Sequence, residues 1–431
     1  MIRLTHAPNS GLNGSVNVPG DKSISHRALM FGAIANGTTV IKNFLTSDDV
    51  LHTMQVFRDL GVNIEQNGRM VTVYGKGINN FSAPQQPLDM GNSGTSTRLL
   101  MGLLSKQPFD MSIIGDDSLS KRPMVRVSDP LAKMGANIQL TSNGTLPGVI
   151  KTNNQLLGIT YVMPVASAQV KSAILLAGIQ AEGETCIIEK NPSRDHTERM
   201  LKQFGGKISV QDGIIKVSRQ LSLKGQCINV PSDISSAAFF LVAGLITPNS
   251  KLTIKNVGIN PTRDGIIKIL TRMGAKIIID KLDSDGEPVA DLTVTTQELK
   301  GIEITAEDIP SAVDELPIIA LAATQAKGDT IISGAEELRV KETDRIATVV
   351  SELRKVGAQI DELPDGMIIH GGTALKVVND SALLLSHGDH RIAMMNAVAA
   401  LITTGDVVLE GEDAMSVSYP GFLEDLSEVM K

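Results

Sequence analysis

Basic, hydroxyl and glycine residues stand together at two places in the first quarter of the chain. These are Pro19-Gly20-Asp21-Lys22-Ser23-Ile24-Ser25-His26-Arg27 and Gly91-Asn92-Ser93-Gly94-Thr95-Ser96-Thr97-Arg98. Each precedes a run of small apolar residues that predicts a helix, so each would lie at a helix N-terminus, where free N–H groups and the helix dipole favour an anion. The simpler interpretation is a capping Asp or Ser followed by solvated basic residues. Both segments are therefore candidate anion sites.

Three further segments carry polar residues suited to anions. They are Lys121-Arg122-Pro123, Ser167-Ala168-Gln169, and Arg194-Asp195-His196-Thr197-Glu198, and the last two come at predicted helix starts. Surface solvation explains the first equally well, and helix capping explains the other two. No Walker pattern is present, so nucleotide phosphate binding of that type has no support.

Charged residues stand at three predicted helix starts in the second half of the chain. The segments are Asp314-Glu315-Leu316-Pro317, Lys341-Glu342-Thr343-Asp344-Arg345 and Gly388-Asp389-His390-Arg391. A carboxylate among cations is held ionised until it takes a substrate proton, which is what acid–base catalysis needs. The commoner meaning is an ion pair on a solvated helix, and we expect Lys341, Glu342 and Arg345 to share one helical turn. The planar guanidinium of Arg391 can donate two parallel hydrogen bonds, which suits a carboxylate or a phosphate.

The elements that must position these residues recur along the chain. An apolar–Gly–small–polar–Ile pattern occurs five times, at intervals of roughly seventy to eighty residues, with its glycines at Gly61, Gly135, Gly205, Gly274 and Gly357. Each copy predicts a small-residue helix, a strand, and an amphipathic helix that ends at a left-handed glycine. Six copies, counting a shortened last one, predict an α/β protein of two similar lobes, each with three β-α-β-α-β-β units. Residues 1–19 and 232–431 would form one lobe and 20–231 the other, with a ligand enclosed in the cleft between them.

Composition excludes several classes of function. The 431 residues carry a net charge of −7, without a basic tail or stripe, so we expect no nucleic-acid or membrane partner. The two cysteines, Cys186 and Cys227, have no metal-ligand spacing, and we expect no metal and a cytoplasmic location. The residues alone leave open an anion-handling transferase or isomerase, or a binding protein for phosphorylated metabolites.

In their order and spacing, these motifs resemble the 5-enolpyruvylshikimate-3-phosphate (EPSP) synthase family, and especially its second class. The matching stretches are PGDKSISHRALM, GNSGTSTR, KRPM, SAQVKSA, DELPIIALAA, RVKETDRI and GDHRIAM. The resemblance implies an inside-out α/β barrel in each lobe and a monomer. It also implies transfer of the enolpyruvyl group of phosphoenolpyruvate to the 5-hydroxyl of shikimate 3-phosphate, with no cofactor.

The resemblance also assigns roles to residues of this sequence. Shikimate 3-phosphate would be held by Lys22, Ser23, Arg27, Ser167, Ala168, Gln169, Arg194, Asp314 and Lys341. Phosphoenolpyruvate would be held by Lys22, Gly94, Arg122, Gln169, Arg345 and Arg391, with Asn92 and Thr95 shaping the loop. Asp314 would take the hydroxyl proton, and Glu342 would protonate the methylene carbon, with Lys22 as the alternative donor.

Some positions depart from the family pattern, and two other functions remain open. Val417 stands where some members have Lys, and Glu337 where some have Asn. The second-class segments imply reduced sensitivity to glyphosate, although Gly94 keeps the small residue that tolerant members replace with Ala. UDP-N-acetylglucosamine enolpyruvyl transferase is the nearest alternative, but the stretch from Gly115 to Pro123 lacks the loop cysteine of that family. A non-catalytic anion-binding protein is the other alternative.

Overall fold

The computed structural model describes residues 1–220 and 222–431, which form two compact units. One unit comprises Met1–Pro19 and Pro231–Lys431, and the other comprises Gly20–Val230. The helices are α1 (Lys22–Ile34), α2 (Asp48–Asp59), α3 (Gly94–Leu103), α4 (Val125–Lys133), α5 (Ala168–Gly178), α6 (His196–Gln203), α7 (Ile234–Ile246), α8 (Gly265–Arg272), α9 (Ile309–Ala312), α10 (Leu316–Thr324), α11 (Arg345–Lys355), α12 (His390–Ile402) and α13 (Phe422–Glu428). Within the described residues, no helix is both long enough and apolar enough to cross a membrane.

The strands are mostly short. They are β1 (Ile2–Arg3), β2 (Asn13–Val16), β3 (Asn36–Lys42), β4 (Asn63–Asn67), β5 (Met70–Lys76), β6 (Leu88–Asp89), β7 (Met111–Ile114), β8 (Ile138–Gln139), β9 (Gly148–Ile150), β10 (Thr160–Val162), β11 (Glu184–Ile188), β12 (Ile208–Gln211), β13 (Ile214–Ser218), β14 (Cys227–Asn229), β15 (Lys251–Gly258), β16 (Ile278–Leu282), β17 (Val289–Thr295), β18 (Glu303–Ile304), β19 (Asp329–Ile332), β20 (Gln359–Leu363), β21 (Gly366–His370), β22 (Lys376–Leu385) and β23 (Thr404–Glu410). Short 3₁₀ helices cover Leu119–Lys121, Glu336–Val340 and Glu412–Val417.

Three four-stranded sheets build the unit Gly20–Val230. Their strand orders are β14-β3-β5-β4, β6-β7-β9-β8 and β10-β11-β13-β12. In each sheet the first two strands are parallel and the remaining pairs are antiparallel. The chain order β6, α3, β7, α4, β8, β9 is the predicted β-α-β-α-β-β unit, so the α/β repeat prediction is confirmed.

The other unit repeats this plan with strands from both ends of the chain. Its sheets are β2-β15-β17-β16, β18-β19-β21-β20 and β1-β23-β22. Strand β2 pairs in parallel with β15, and β1 pairs antiparallel with β23. The N-terminal strands therefore complete sheets whose other strands all follow residue 230.

Six small-residue helices form the interiors of the units. Helices α1, α3 and α5 belong to one buried core, and α7, α10 and α12 to the other. They are apolar on nearly every side, which is typical of helices with no solvent-facing surface. Helices α3 and α5 approach so closely that a Cβ on Gly102 would lie 2.0 Å from the carbonyl oxygen of Ala173. Small side chains are therefore needed where these helices cross.

The repeated glycines end the amphipathic helices, as predicted. All five have positive φ, between 80° and 98°, at Gly61, Gly135, Gly205, Gly274 and Gly357. An L-residue with a side chain rarely adopts this conformation, whereas glycine does so at little cost. Each glycine therefore turns the chain from an outer helix towards the following strand.

Candidate active site

The start of α1 brings a lysine and a carboxylate together. Asp21 caps the helix by accepting the N–H of Ile24 at 2.8 Å, so Lys22 and Ser23 occupy the first turn, as predicted. Lys22 Nζ lies 2.8 Å from Asp49 Oδ2, and Asp49 belongs to the first turn of α2. A cation is thus fixed at a helix N-terminus that itself favours anions.

Arg27, one turn further along α1, is buried and braces three helices. Its Nε donates to Thr197 Oγ1 at 2.7 Å, and its Nη2 donates to Ser172 Oγ at 2.9 Å. Its Nη1 donates to the Ser23 carbonyl at 3.0 Å. Arg27 therefore ties the first turn of α1 to α5 and α6.

The start of α3 is held to α5 by an arginine that the predicted site omits. Arg98 Nη1 donates to Gln169 Oε1 at 2.7 Å, and Gln169 Nε2 donates to Thr95 Oγ1 at 3.1 Å. A Cβ on Gly94 would lie 2.8 Å from Arg98 Nη1 and 3.5 Å from Arg122 Nη1. Gly94, Gln169 and Arg122 are therefore brought together, and Arg98 stands among them. Its place in the GNSGTSTR motif was the available signal.

Arg122 is oriented by the loop that leads into α3. Its Nη2 donates to Asn92 Oδ1 at 2.7 Å, and Asn92 Nδ2 donates to Asp116 Oδ2 at 2.6 Å. The amide of Asn92 can accept from Arg122 only because its nitrogen is directed to Asp116. Asn92 thus links Arg122 to Asp116 within this loop.

The start of α5 is capped by Ser167, whose Oγ accepts the Val170 N–H, and Ala168 is the first helical residue. Arg194 precedes the N-cap of α6.

Between these two helix starts, Lys171 is buried and its Nζ lies 3.0 Å from Glu189 Oε2 and 2.7 Å from Glu198 Oε1. Burial raises the pKa of Glu198, and Lys171 opposes that rise. This ion cluster joins α5 to α6 and to the end of β11.

In the other unit, one buried arginine gathers three carboxylates. Arg345 Nη2 donates to Glu342 Oε2 at 2.6 Å, its Nε donates to Asp389 Oδ2 at 2.8 Å, and its Nη1 lies 3.4 Å from Asp314 Oδ1. Burial lowers the pKa of Arg345, but Glu342, Asp389 and Asp314 outweigh it and leave the pKa raised. For Asp389 the directions are reversed. Burial raises its pKa, but Arg345 outweighs this effect, so the pKa of Asp389 is lowered.

The three carboxylates differ in access to solvent. The side chains of Asp314 and Glu342 are 18% and 29% exposed, whereas Asp389 is 0% exposed. Of these three carboxylates, Asp314 and Glu342 are therefore partly open to solvent, whereas Asp389 contacts Arg345 and the start of α12. Asp389, which the predicted site omits, also caps α12 by accepting the N–H of Arg391 at 2.9 Å. Arg391 Nη1 in turn donates to the Asp314 carbonyl at 3.0 Å.

The segment from Lys341 to Arg345 differs from its prediction. Helix α11 begins only at Arg345, because Asp344 caps it by accepting the Ala347 N–H at 3.1 Å. Lys341 and Glu342 precede the helix, so the prediction that they share one helical turn with Arg345 is wrong. Lys341 Nζ instead pairs with Glu337 Oε1 at 2.7 Å. Glu337, the position where some members are expected to have Asn, therefore contacts a predicted ligand of shikimate 3-phosphate.

Known proteins are similar to the chain over nearly its whole length. The family model described as EPSP synthase (3-phosphoshikimate 1-carboxyvinyltransferase) matches residues 7–426. A 3-phosphoshikimate 1-carboxyvinyltransferase from Leuconostoc citreum is 75% identical over 430 residues, which cover 100% of both chains. One from Bacillus pumilus is 53% identical over 427 residues, covering 99% of this chain and 98% of its own.

Solved structures give the same result. An EPSP synthase from Acinetobacter baumannii superposes with a TM-score of 0.89 at 46% identity, covering 99% of this chain and 97% of that one. An enolpyruvyl transferase from Streptomyces tendae has a TM-score of 0.79 at 20% identity, covering 99% of this chain and 96% of that one. The second likeness concerns the fold alone.

Proposed function

The chain belongs to the EPSP synthase family, and we propose that the residues gathered at the helix starts carry out the reaction of that family. The chain is a transferase of the shikimate pathway. It joins the enolpyruvyl group of phosphoenolpyruvate to the 5-hydroxyl of shikimate 3-phosphate and releases phosphate. The product, 5-enolpyruvylshikimate 3-phosphate, leads to chorismate and the aromatic amino acids.

Binding of the two anions is assigned to the residues that the resemblance names. For shikimate 3-phosphate we propose Lys22, Ser23, Arg27, Ser167, Ala168, Gln169, Arg194, Asp314 and Lys341. For phosphoenolpyruvate we propose Lys22, Gly94, Arg122, Gln169, Arg345 and Arg391. Holding two reactants in reacting geometry lowers a barrier by on the order of 7–11 kcal/mol, which exceeds the gain from one acid or base.

The first half of the reaction forms a carbon–oxygen bond. Asp314 takes the proton of the 5-hydroxyl of shikimate 3-phosphate, and the oxygen of that hydroxyl attacks C2 of phosphoenolpyruvate. Glu342 gives a proton to C3, which becomes a methyl group, and the product is a tetrahedral intermediate that still carries the phosphate. In the second half a proton leaves the methyl group, the C2–O bond to phosphate breaks, and the double bond forms again.

The observation that carries this proposal is the Arg345 cluster. One guanidinium contacts Asp314 and Glu342, the two partly exposed carboxylates of the cluster, and so holds the proposed base and acid side by side. Glu342 Oε2 accepts from Arg345 Nη2 at 2.6 Å. When the carboxylate of phosphoenolpyruvate engages Arg345, the substrate therefore comes to lie beside Glu342.

Phosphate release from phosphoenolpyruvate tests the proposal directly. The purified chain is assayed without added metal, with shikimate 3-phosphate or with UDP-N-acetylglucosamine as acceptor. We expect release only with shikimate 3-phosphate. Release only with the nucleotide sugar would support the alternative transferase, and release with neither would support a non-catalytic anion-binding protein.

We also propose that the chain acts as a monomer in the cytoplasm, as the resemblance implies. Sedimentation equilibrium checks the first statement, and cell fractionation of the native host checks the second. A stable dimer or a membrane-bound fraction would contradict them.

A further inference from the structure

The turn between β22 and α12 contains a histidine in an unusual conformation. The Ser386 carbonyl accepts the N–H of Asp389 at 2.9 Å, so His387 and Gly388 are the central residues of a four-residue turn. Their φ values are 54° and 75°. Two positive φ values are typical of a type I′ turn, whose central positions favour Gly, Asn and Asp. Gly388 fits this rule, whereas the side chain of His387 makes positive φ costly, and an interaction of that side chain offsets the cost.

A buried carboxylate supplies that interaction. Glu352, on α11, has a side chain that is 0% exposed, and its Oε1 lies 2.7 Å from His387 Nε2. The other oxygen accepts the Leu385 N–H at 2.8 Å, and Lys355 Nζ approaches both oxygens at 2.8 Å. Glu352 therefore holds the turn in two ways. It accepts the backbone N–H of Leu385, just before the turn, and it contacts the ring of His387 within the turn.

The same helix holds the far end of the turn as well. Arg345 begins α11, two helical turns before Glu352, and its Nε binds Asp389 at 2.8 Å. Asp389 in turn caps α12 at Arg391. The position of the turn thus fixes where Asp389 meets the two arginines proposed for phosphoenolpyruvate.

We propose that Glu352 and His387 are positioning residues for the phosphoenolpyruvate arginines. The hydrogen bond between Glu352 and His387 keeps the turn in its left-handed form. The turn itself keeps Asp389 within hydrogen-bonding distance of Arg345 Nε and of the Arg391 N–H. This inference rests on the proposed function, because it takes those two arginines to bind the substrate.

The test separates the side chain of His387 from its backbone conformation. His387→Ala removes the bond to Glu352 and leaves a residue that disfavours positive φ, whereas His387→Gly removes the bond but accepts positive φ freely. We expect His387→Ala to raise the KM for phosphoenolpyruvate about tenfold, because misplacing a binding group by a fraction of an ångström is costly. We expect His387→Gly to raise it by about threefold, since the turn still forms but is no longer held.

His370→Ala is the matched control. His370 also bridges carboxylates, with its ring nitrogens 3.1 Å from Asp329 Oδ1 and 3.0 Å from Asp361 Oδ2, but on the strands of another sheet. It should leave the KM for phosphoenolpyruvate unchanged. Activity of the parent chain tests the proposed function separately. With an active parent, a KM for His387→Ala within about twofold of the parent, or one no higher than that of His387→Gly, would overturn the inference.

Discussion

Lys22 and Asp49 form an ion pair with 2.8 Å between Nζ and Oδ2, which joins the starts of α1 and α2. The lysine side chain is 22% exposed and the carboxylate 9% exposed, so a bound anion can reach the lysine while Asp49 stays behind it. This arrangement suits a residue that binds an anion.

The first prediction distinguishes the two candidate proton donors. Glu342→Gln keeps the size of the side chain and a hydrogen bond to Arg345, but it has no proton to transfer. We expect its kcat to fall by about a hundredfold or more, while the KM values for both substrates stay within about threefold. Lys22→Arg keeps the charge and should retain more kcat than Glu342→Gln. The reverse order of kcat values would identify Lys22 as the donor.

The second prediction concerns the stability of the Arg345 cluster. Arg345→Ala leaves Asp389 buried without its cation, and we expect a loss of about 3–5 kcal/mol in the free energy of unfolding by urea. Arg339 provides the control, because it also pairs with two carboxylates, Asp344 and Glu362, but is 27% exposed. Arg339→Ala should cost about 1 kcal/mol or less. Equal losses would mean that burial does not set the strength of the cluster.

The third prediction concerns the space beside Gly94. Gly94→Ala places a methyl group 2.8 Å from Arg98 Nη1, so the guanidinium must shift from its bond with Gln169. We expect the KM for phosphoenolpyruvate to rise about tenfold with kcat changed less than about threefold. Crystallography of the variant should show the Arg98 to Gln169 distance lengthened. An unchanged KM would remove Gly94 from the proposed phosphoenolpyruvate contacts.

The fourth prediction follows from His26, whose ring accepts or donates a 2.8 Å bond with Thr53 Oγ1. Burial lowers the pKa of His26 to about 3, with Asp49 opposing and with Lys22 and Arg27 adding to the shift. Between the unfolded pKa near 6.5 and about pH 3, the unfolded chain therefore binds a proton that the folded chain does not. Stability falls as the pH falls, by about 1.4 kcal/mol from pH 7.5 to 5.5.

The variant His26→Gln should lose this contribution, which urea unfolding at the two pH values measures as a difference from the parent. His370→Gln is the control with the opposite sign. Hydrogen bonds to Asp361 and Asp329 raise the pKa of His370, so its contribution is present at low pH and lost as the pH rises. A parent and His26→Gln that respond equally to pH would show that His26 has the same pKa in the folded chain as in the unfolded chain.

The fifth prediction concerns glyphosate. The segments GDKS, SAQVK, NPTR and RDHTE resemble the second class of the family, many of whose members tolerate this inhibitor. We expect weak inhibition of phosphate release when glyphosate and phosphoenolpyruvate are varied together. Tight inhibition in competition with phosphoenolpyruvate would contradict it.

The sequence predicted the features that depend on neighbouring residues. The left-handed glycines, the capping role of Asp21 and the helix starts at Lys22 and Gly94 follow from local backbone chemistry, and the structure has them. The exception is Lys341 to Arg345, where Asp344 competes successfully for the N-cap and moves the helix start to Arg345. Charge spacing alone cannot reveal which of several adjacent polar residues will cap.

What the sequence could not predict depends on partners far away along the chain. Arg27 bonds Thr197, and Arg98 bonds Gln169, across separations that no local pattern encodes. Asp389 was visible in a motif, but its importance comes from burial beside Arg345, which only the fold supplies. Residues that hold other residues in place are thus the hardest to find from sequence, because their partners lie far away along the chain.

The pairing of β2 with β15 sets an order of events during protein synthesis. Every strand of the unit Gly20–Val230 finds its partners within that stretch, so this unit can fold while the ribosome is still working. Strand β2 must wait until the whole stretch has been made, on the order of 10 to 40 seconds at about 5–20 residues per second. Strand β1 waits for β23, close to the C-terminus. Strands β1 and β2 are therefore made before the unit Gly20–Val230 but paired only after it, and their unpaired edges need protection from other nascent chains meanwhile.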